Sequence, residues 1–264
     1  MGKIWAVYFS ATGTTKKVVR AVAEAFGAYE TFDFTLPGAR ESVLRFGSSD
    51  TVIFGTPVYA GRVPNVLLRY LDTLEGNGAA AVPVVVYGNR DFDDALIELR
   101  DILKKRGFRP FAAAAFIGQH AFSETLAEGR PDGEDLRAAA EFGKMAADKL
   151  RGGGLAEIEV SGTPEPYRGY YMPRDRAGNA IDIRRVKPVT GETCSGCGLC
   201  ARICPMGSIP QDNPRECTGI CIKCGACVRR CLRRAKFFED SGYLTHLREL
   251  EEQYAGRKAP EMFL

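Results

Sequence analysis

No run of residues approaches the roughly 18 uninterrupted apolar positions a membrane helix requires, so a helical membrane span is not expected. A charged leader, a long apolar stretch behind it and a cleavage site are also missing. Met1-Gly2-Lys3-Ile4-Trp5-Ala6-Val7 leads straight into a strand-like run, and secretion is not expected. The residues after Gly2 lack the Ser or Thr of a myristoylation signal. There is no excess of one charge either: a formal +3 over 264 residues gives no reason to expect a nucleic-acid partner. Neither common nucleotide-loop formula, G-x-x-x-x-G-K-S/T nor G-x-G-x-x-G, follows the first strand pattern. These absences point to a soluble, cytoplasmic protein whose thiols stay reduced and free for metal.

With 45% hydrophobic residues the chain can bury a substantial core. Short apolar runs bounded by polar turns, the pattern of buried parallel strands, occur at Lys3 to Phe9, Tyr29 to Phe34, Thr51 to Phe54, Ala81 to Tyr87 and, alanine-rich, Phe111 to Ile117. Helical periods lie between them. Val18, Val22 and Phe26 mark one, Leu67, Leu68 and Leu71 behind Pro64 a second, Leu96, Leu99 and Leu103 a third, and Leu136 to Leu150 a fourth. Alternating strands and helices predict an α/β domain over 1–151, a doubly wound five-stranded parallel sheet of order 2-1-3-4-5 with its ligand crevice beyond the carboxyl ends of the strands. Gly152-Gly153-Gly154 opens a linker over 152–183, whose tyrosines predict partial packing on a domain. A cysteine-dominated unit follows at 184–240, then an amphipathic helix, Ser241 to Tyr254, and a tail to 264.

The cysteines carry the sharpest signal. Cys194, Cys197, Cys200 and Cys204 are spaced C-x2-C-x2-C-x3-C with Pro205 next, and Cys221, Cys224, Cys227 and Cys231 repeat the spacing. This is the run of bacterial two-cluster ferredoxins, where the fourth cysteine of each run ligates the other cluster. It assigns cluster one to Cys194, Cys197, Cys200 and Cys231, and cluster two to Cys221, Cys224, Cys227 and Cys204. Zinc is the alternative, since it also uses C-x2-C pairs. Leu232 stands where a second proline would complete the match, and Cys217, a ninth thiol, is either a bystander or a substitute for Cys221. Arg229, Arg230, Arg233 and Arg234 flank Cys231, where they raise a cluster's potential, line a solvated face or dock an acidic partner.

Ser10-Ala11-Thr12-Gly13-Thr14-Thr15 follows the first strand and opens a helix, so hydroxyls and free N–H groups meet at a positive dipole end. A plain helix cap would look similar. Two more loops share that edge: Thr56-Pro57-Val58-Tyr59-Ala60-Gly61 and Gly88-Asn89-Arg90-Asp91-Phe92, each with glycine for close approach and an aromatic for stacking or for ordinary packing. His120 ends the fifth strand at the same edge, as a ligand contact or a satisfied loop residue, and His246 is expected to face solvent.

Ser10 to Thr15 resembles the phosphate loop of flavodoxins, and with the cysteine runs nearly the whole chain resembles the flavodoxin–ferredoxin fusion proteins of anaerobic bacteria and archaea. The resemblance implies noncovalent FMN with Thr56 to Gly61 and Gly88 to Phe92 around its ring, two 4Fe–4S clusters, and a small α+β ferredoxin-like second domain. It implies electron relay between flavin and clusters for an external redox protein. An enzyme reducing a quinone or nitro compound, and a flavin-free oxygen sensor, are the rivals. No second nucleotide domain is visible, so NAD(P)H is not expected as direct donor.

Overall fold

The computed structural model describes residues 2–264. Its N-terminal part is built on strands β1 (Ile4–Tyr8), β2 (Tyr29–Asp33), β3 (Thr51–Pro57) and β4 (Ala80–Tyr87), separated by helices α1 (Thr14–Glu24) and α2 (Asn65–Leu71). Helix α3 (Ala95–Lys105), strands β5 (Arg109–Pro110) and β6 (Ala113–Ile117) and helix α4 (Gly133–Arg151) complete it. The order β2-β1-β3-β4-β6 is parallel throughout, as crossover helices require. β3 and β4 are buried on both faces, which is why they read as unbroken apolar runs.

One side of the sheet packs on α1 and α4, with Val18, Val22, Phe116 and Phe142 fully buried. The other packs on α2 and α3 through Phe54, Leu67, Leu96 and Leu99. Val18 and Val22 are interior while Phe26 lies beyond the helix end, so the expected stripe is one turn shorter than its period suggested.

Two differences from the expected five strands concern one edge. The fifth run is split into β5 and β6, both beside β4. Beyond β6 the sheet gains an antiparallel strand, the last of the chain, with Ala113, Ala114 and Ala115 opposite Phe263, Met262 and Glu261. The chain therefore leaves the sheet after β6 and returns to it, and among the described residues the sheet counts seven strands.

The segment after α4 is strapped along α3. Lys104 meets Glu157, Lys105 meets Glu165, and the Tyr167 hydroxyl donates to Asp101 at 2.9 Å. Asp94, fully buried at the start of α3, accepts from the Thr163 and Arg168 amides and the Arg168 guanidinium. Arg62 pairs with buried Glu98 at 2.7 Å and lies 4.7 Å and 5.1 Å over the Tyr167 and Tyr170 rings. The tyrosines thus have a packing role, and the strap ends where the Tyr171 amide donates to Ala60.

The cysteine-rich part is small. Strand β7 (Val189–Thr190) pairs antiparallel with β8 (Lys236–Phe237), enclosing the one-turn helices α5 (Leu199–Arg202) and α6 (Ala226–Arg229). Helix α7 (Ser241–Gln253), capped by the Asp240 carboxylate on the Tyr243 amide at 2.8 Å, then leads to β9 (Glu261–Phe263). Among the described residues no helix is long and apolar enough to cross a membrane.

Candidate functional site

A cleft of about 680 Å³ opens at the carboxyl edge of the sheet, within the range of small-molecule and cofactor sites. Thr12, Thr14 and Thr15 line it at the end of β1, Pro57 to Ala60 after β3, and Gly88 and Arg90 after β4. Gly88 is needed there because a Cβ would stand 2.4 Å from the His120 ring. Helix α1 starts just after Gly13, which is left-handed at φ 92° and offers no side chain to cap it, so that the Thr14 and Thr15 amides have no side-chain partner, while the Lys16 amide donates to Ser10 Oγ at 2.9 Å. Thr15 is buried, and its Oγ1 has no hydrogen-bond partner. A buried hydroxyl without a partner costs folding energy, so this Oγ1 together with the Thr14 and Thr15 amides at the helix start suits a phosphate that accepts from both.

The other expected contacts sit elsewhere. Ser10 is outside the cleft lining, its Oγ accepting from the Lys16 amide at 2.9 Å. Gly13 and Gly61 (φ 76°) serve as turns, and Thr56 is fully buried in β3. Asn89 is buried, donating to the Tyr254 and Gly256 carbonyls at 2.6 and 2.8 Å. Asp91 is solvent-exposed, and Phe92 packs in the core 5.6 Å from the Tyr87 ring. From the β4 loop, Gly88 and Arg90 line the cleft, the latter 4.3 Å over Tyr171.

Residues far along the chain close the cleft: His120 to Phe122, Tyr170 to Pro173, Ile181 to Arg184, Ile220 to Cys224, His246 and Leu250. His246 is 4% exposed, contrary to the expected solvent-facing position. It belongs to the buried stripe of α7 with Tyr243 and Leu250, at i, i+3 and i+7, and that spacing was available in the sequence. Burial, then the charges of His246, Arg229 and Arg90, pushes His120 down to about 3; burial and Arg90 push His246 down to about 4. Both rings are neutral in the fold while the unfolded chain protonates near the ordinary value of about 6.5. Unfolding then takes up protons, so stability is full above that value and falls as pH drops through it. We expect urea titrations between about pH 7.5 and 5 to show a loss approaching 1.4 kcal/mol per pH unit for each histidine below about 6.5, with His246→Gln removing one share.

The wall between the cleft and the cysteine-rich part is the turn Cys221-Ile222-Lys223-Cys224. Its other side faces a narrow cavity lined by Cys204, Cys221, Cys224 and Cys227, and also by Cys217. One cysteine of the first run thus joins three of the second. Burial raises all of the second three, Cys224 up to about 12, each also raised by neighbouring thiols. Amides aim at sulfur: Ser208 on Cys204 and Lys223 on Cys221, both 3.4 Å, and Ala235 on Cys231 at 3.2 Å. Around Cys231 such amides outweigh burial and lower its thiol. Gly198 and Gly225, both left-handed, open α5 and α6 at equivalent places in the two runs. A Cβ on Gly225 would come 2.6 Å from the Ala121 carbonyl, so this glycine also permits the close approach to the β6 loop.

Cys194, Cys197, Cys200 and Cys231 lie outside the lining of both the cleft and this cavity. The Thr193 hydroxyl on the Arg233 carbonyl at 3.2 Å and the Gly191 amide on the Ala235 carbonyl at 2.8 Å draw the start of the first run to the end of the second. Among the described residues no three His, Cys, Asp or Glu side chains converge tightly enough for a single metal ion.

Fold and cleft together define a doubly wound α/β domain with a mononucleotide-type site at the topological switch point. The flavodoxin domain family model matches residues 6–123, and this part of the chain is a flavodoxin-like domain. Solved structures similar to it include a flavodoxin from the domain Archaea, at 14% identity over 56% of this chain and 99% of that one, TM-score 0.38. Flavodoxin 1 from Bacillus cereus shows 16% identity over 53% and 94%, TM-score 0.38. A flavodoxin, WrbA-like protein from Agrobacterium tumefaciens shows 18% over 58% and 99%, TM-score 0.39. No curated protein matches the chain.

Proposed function

We propose that the chain is an electron-transfer protein in which FMN, held in the large cleft, exchanges electrons with two 4Fe–4S clusters and through them with an external redox protein. Bound FMN would supply conversion between two-electron and one-electron chemistry, each cluster carrying one electron. The reading rests on one observation above all: Cys221 and Cys224 line both the flavin cleft and the cavity ringed by Cys204, Cys221, Cys224 and Cys227. Cluster two is then the near cluster and cluster one, on Cys194, Cys197, Cys200 and Cys231, the far one.

Thr12, Thr14, Thr15 and the first amides of α1 would hold the phosphate, and Tyr59 and Arg90 would bound the ring. Tyr59 stands against Cys224 and Cys221, whose proximity adds to burial in raising its hydroxyl well above the ordinary value. The amides aimed at sulfur favour thiolate and stabilise ligands of a reducible centre. Thiolates ringing a cavity suit the separated corners of an iron–sulfur cube, whereas tetrahedral zinc would draw four sulfurs to one point.

Protein purified without air is expected to carry one flavin and about eight irons per chain, with overlapping flavin and iron–sulfur absorption. A colourless, zinc-loaded preparation would overturn the proposal. Thr15→Val, which keeps shape and removes the partnerless hydroxyl, is expected to weaken FMN binding about tenfold to a hundredfold in fluorescence-quenching titrations, with little change in thermal unfolding.

A second reading has an observation of its own. Tyr59, Arg90 and His120 line the same cleft with His246, leaving an aromatic compartment beside the ring position. This favours a reductase of a small planar acceptor, a quinone or nitro compound, fed by the clusters. Saturable turnover of a simple benzoquinone under dithionite, reduced by His120→Gln, would support it, and unsaturable exchange would favour the carrier.

A further inference from the structure

The strap and α7 line the cleft, and of the near cluster's cysteines Cys224 is buried and none is exposed, whereas the first run carries an exposed cysteine at the far end of the cysteine-rich part. Cys197 there is the one exposed cysteine among the described residues. Leu232, which directly follows Cys231, is 91% exposed, the most exposed of the large apolar side chains among the described residues. Arg230, Arg233 and Arg234 surround Leu232 in sequence and are all exposed, as is Arg202, whose guanidinium donates to the Cys197 carbonyl at 3.1 Å. Among the described residues none of these four arginines forms an ion pair with a carboxylate. By contrast Arg229, on the same turn, is spent on the His120 and Ser123 carbonyls and fastens the two parts of the chain together.

An exposed leucine set among unpaired arginines is the composition of a small charge-steered interface, with an apolar centre and a polar rim. We propose that Leu232, Arg202, Arg230, Arg233 and Arg234 form the docking surface for a small acidic electron-transfer protein, which meets the chain at the far cluster. The proposal rests on the cluster reading above. The transfer is one electron from the reduced partner's centre to the cluster on Cys194, Cys197, Cys200 and Cys231, or the reverse, with no bond made or broken. Positive charge selects the acidic partner, while Leu232 supplies contact close to the ligand Cys231. Interfaces of this kind are small and brief, and their association rates fall steeply with salt because exposed charges are screened.

The test uses the full iron-loaded chain, immobilised without air, with an acidic two-cluster ferredoxin as probe at about 20 and about 300 mM salt. Wild type is expected to bind at the lower salt and to lose at least about tenfold in affinity at the higher. Arg230→Glu/Arg233→Glu/Arg234→Glu should lose at least about tenfold at low salt and most of its salt dependence, and Leu232→Ala should weaken binding about threefold or more without changing the salt slope. Iron and flavin contents equal to wild type keep the comparison valid, since all four side chains are on the surface. An iron-loaded wild type that fails to bind the probe, or variants that bind unchanged, overturn the docking surface and leave the cluster reading standing. Binding to anionic phosphatidylglycerol vesicles in preference to the ferredoxin overturns it in favour of a membrane contact. An iron-free wild type instead removes the cluster reading beneath it.

Discussion

Cys224→Ser is expected to lose about half of the iron while keeping the flavin, because it removes a ligand of only one of the two proposed clusters. Its position makes the effect larger than the iron count alone. Cys224 is buried, lines the cavity and the cleft together, and lies next to Tyr59. The variant should therefore also cut the flavin off from donors that act through the cysteine-rich part, while dithionite still reduces it directly. Cys197→Ser makes the comparison: it should lose the other half of the iron and leave the near cluster's spectrum in place. Cys217→Ser should lose nothing, provided Cys221 is the ligand. Metal analysis and anaerobic spectra read all three. Full iron and unchanged flavin reduction in Cys224→Ser would show that the wall between the two spaces carries no electrons.

The largest loss of stability is expected from Asp135→Ala. Asp135 and Arg130 form a bidentate pair with side chains 3% and 4% exposed, in which Arg130 Nε donates at 2.9 Å. Arg130 also approaches Asn89, which holds the Tyr254 and Gly256 carbonyls, and Arg257 reaches back to Asp132 and Asp135. Removing the carboxylate strands a buried guanidinium and should cost about 3–5 kcal/mol, read in urea unfolding followed by circular dichroism. Asp135→Ala/Arg130→Met should recover part of it, since an apolar pair of similar volume avoids the desolvation cost. Equal stability of the two variants would show that the loss came from somewhere other than the stranded charge.

Local chemistry explains what could be read from the sequence. Strands buried on both faces must be apolar along their whole length, so β1, β3 and β4 were visible as runs, and the cysteine spacing groups Cys204 with the second run, whose first three cysteines line one cavity with it. The β4 loop was harder. Asn89, Asp91 and Phe92 stand in sequence where a ring contact would be, but Asn89 is drawn inward by carbonyls 165 and 167 residues away, and no local pattern announces that. The same holds for β9. Glu261-Met262-Phe263 is too short to show a period, and it is a strand only because the alanine-rich edge of β6 offers partners. Lys223, Tyr171 and Ile183 were missed as cleft residues for the same reason, being brought there by packing between distant segments.

The returning strand has a bearing on synthesis. Until Glu261–Phe263 have left the ribosome, the flank of β6 stands with open amides and carbonyls on a nearly side-chain-free alanine surface, the kind of border that recruits strands from other nascent chains. Every cysteine is made before that border is sealed, so a delay in metal loading prolongs the interval in which the half-finished molecule can aggregate.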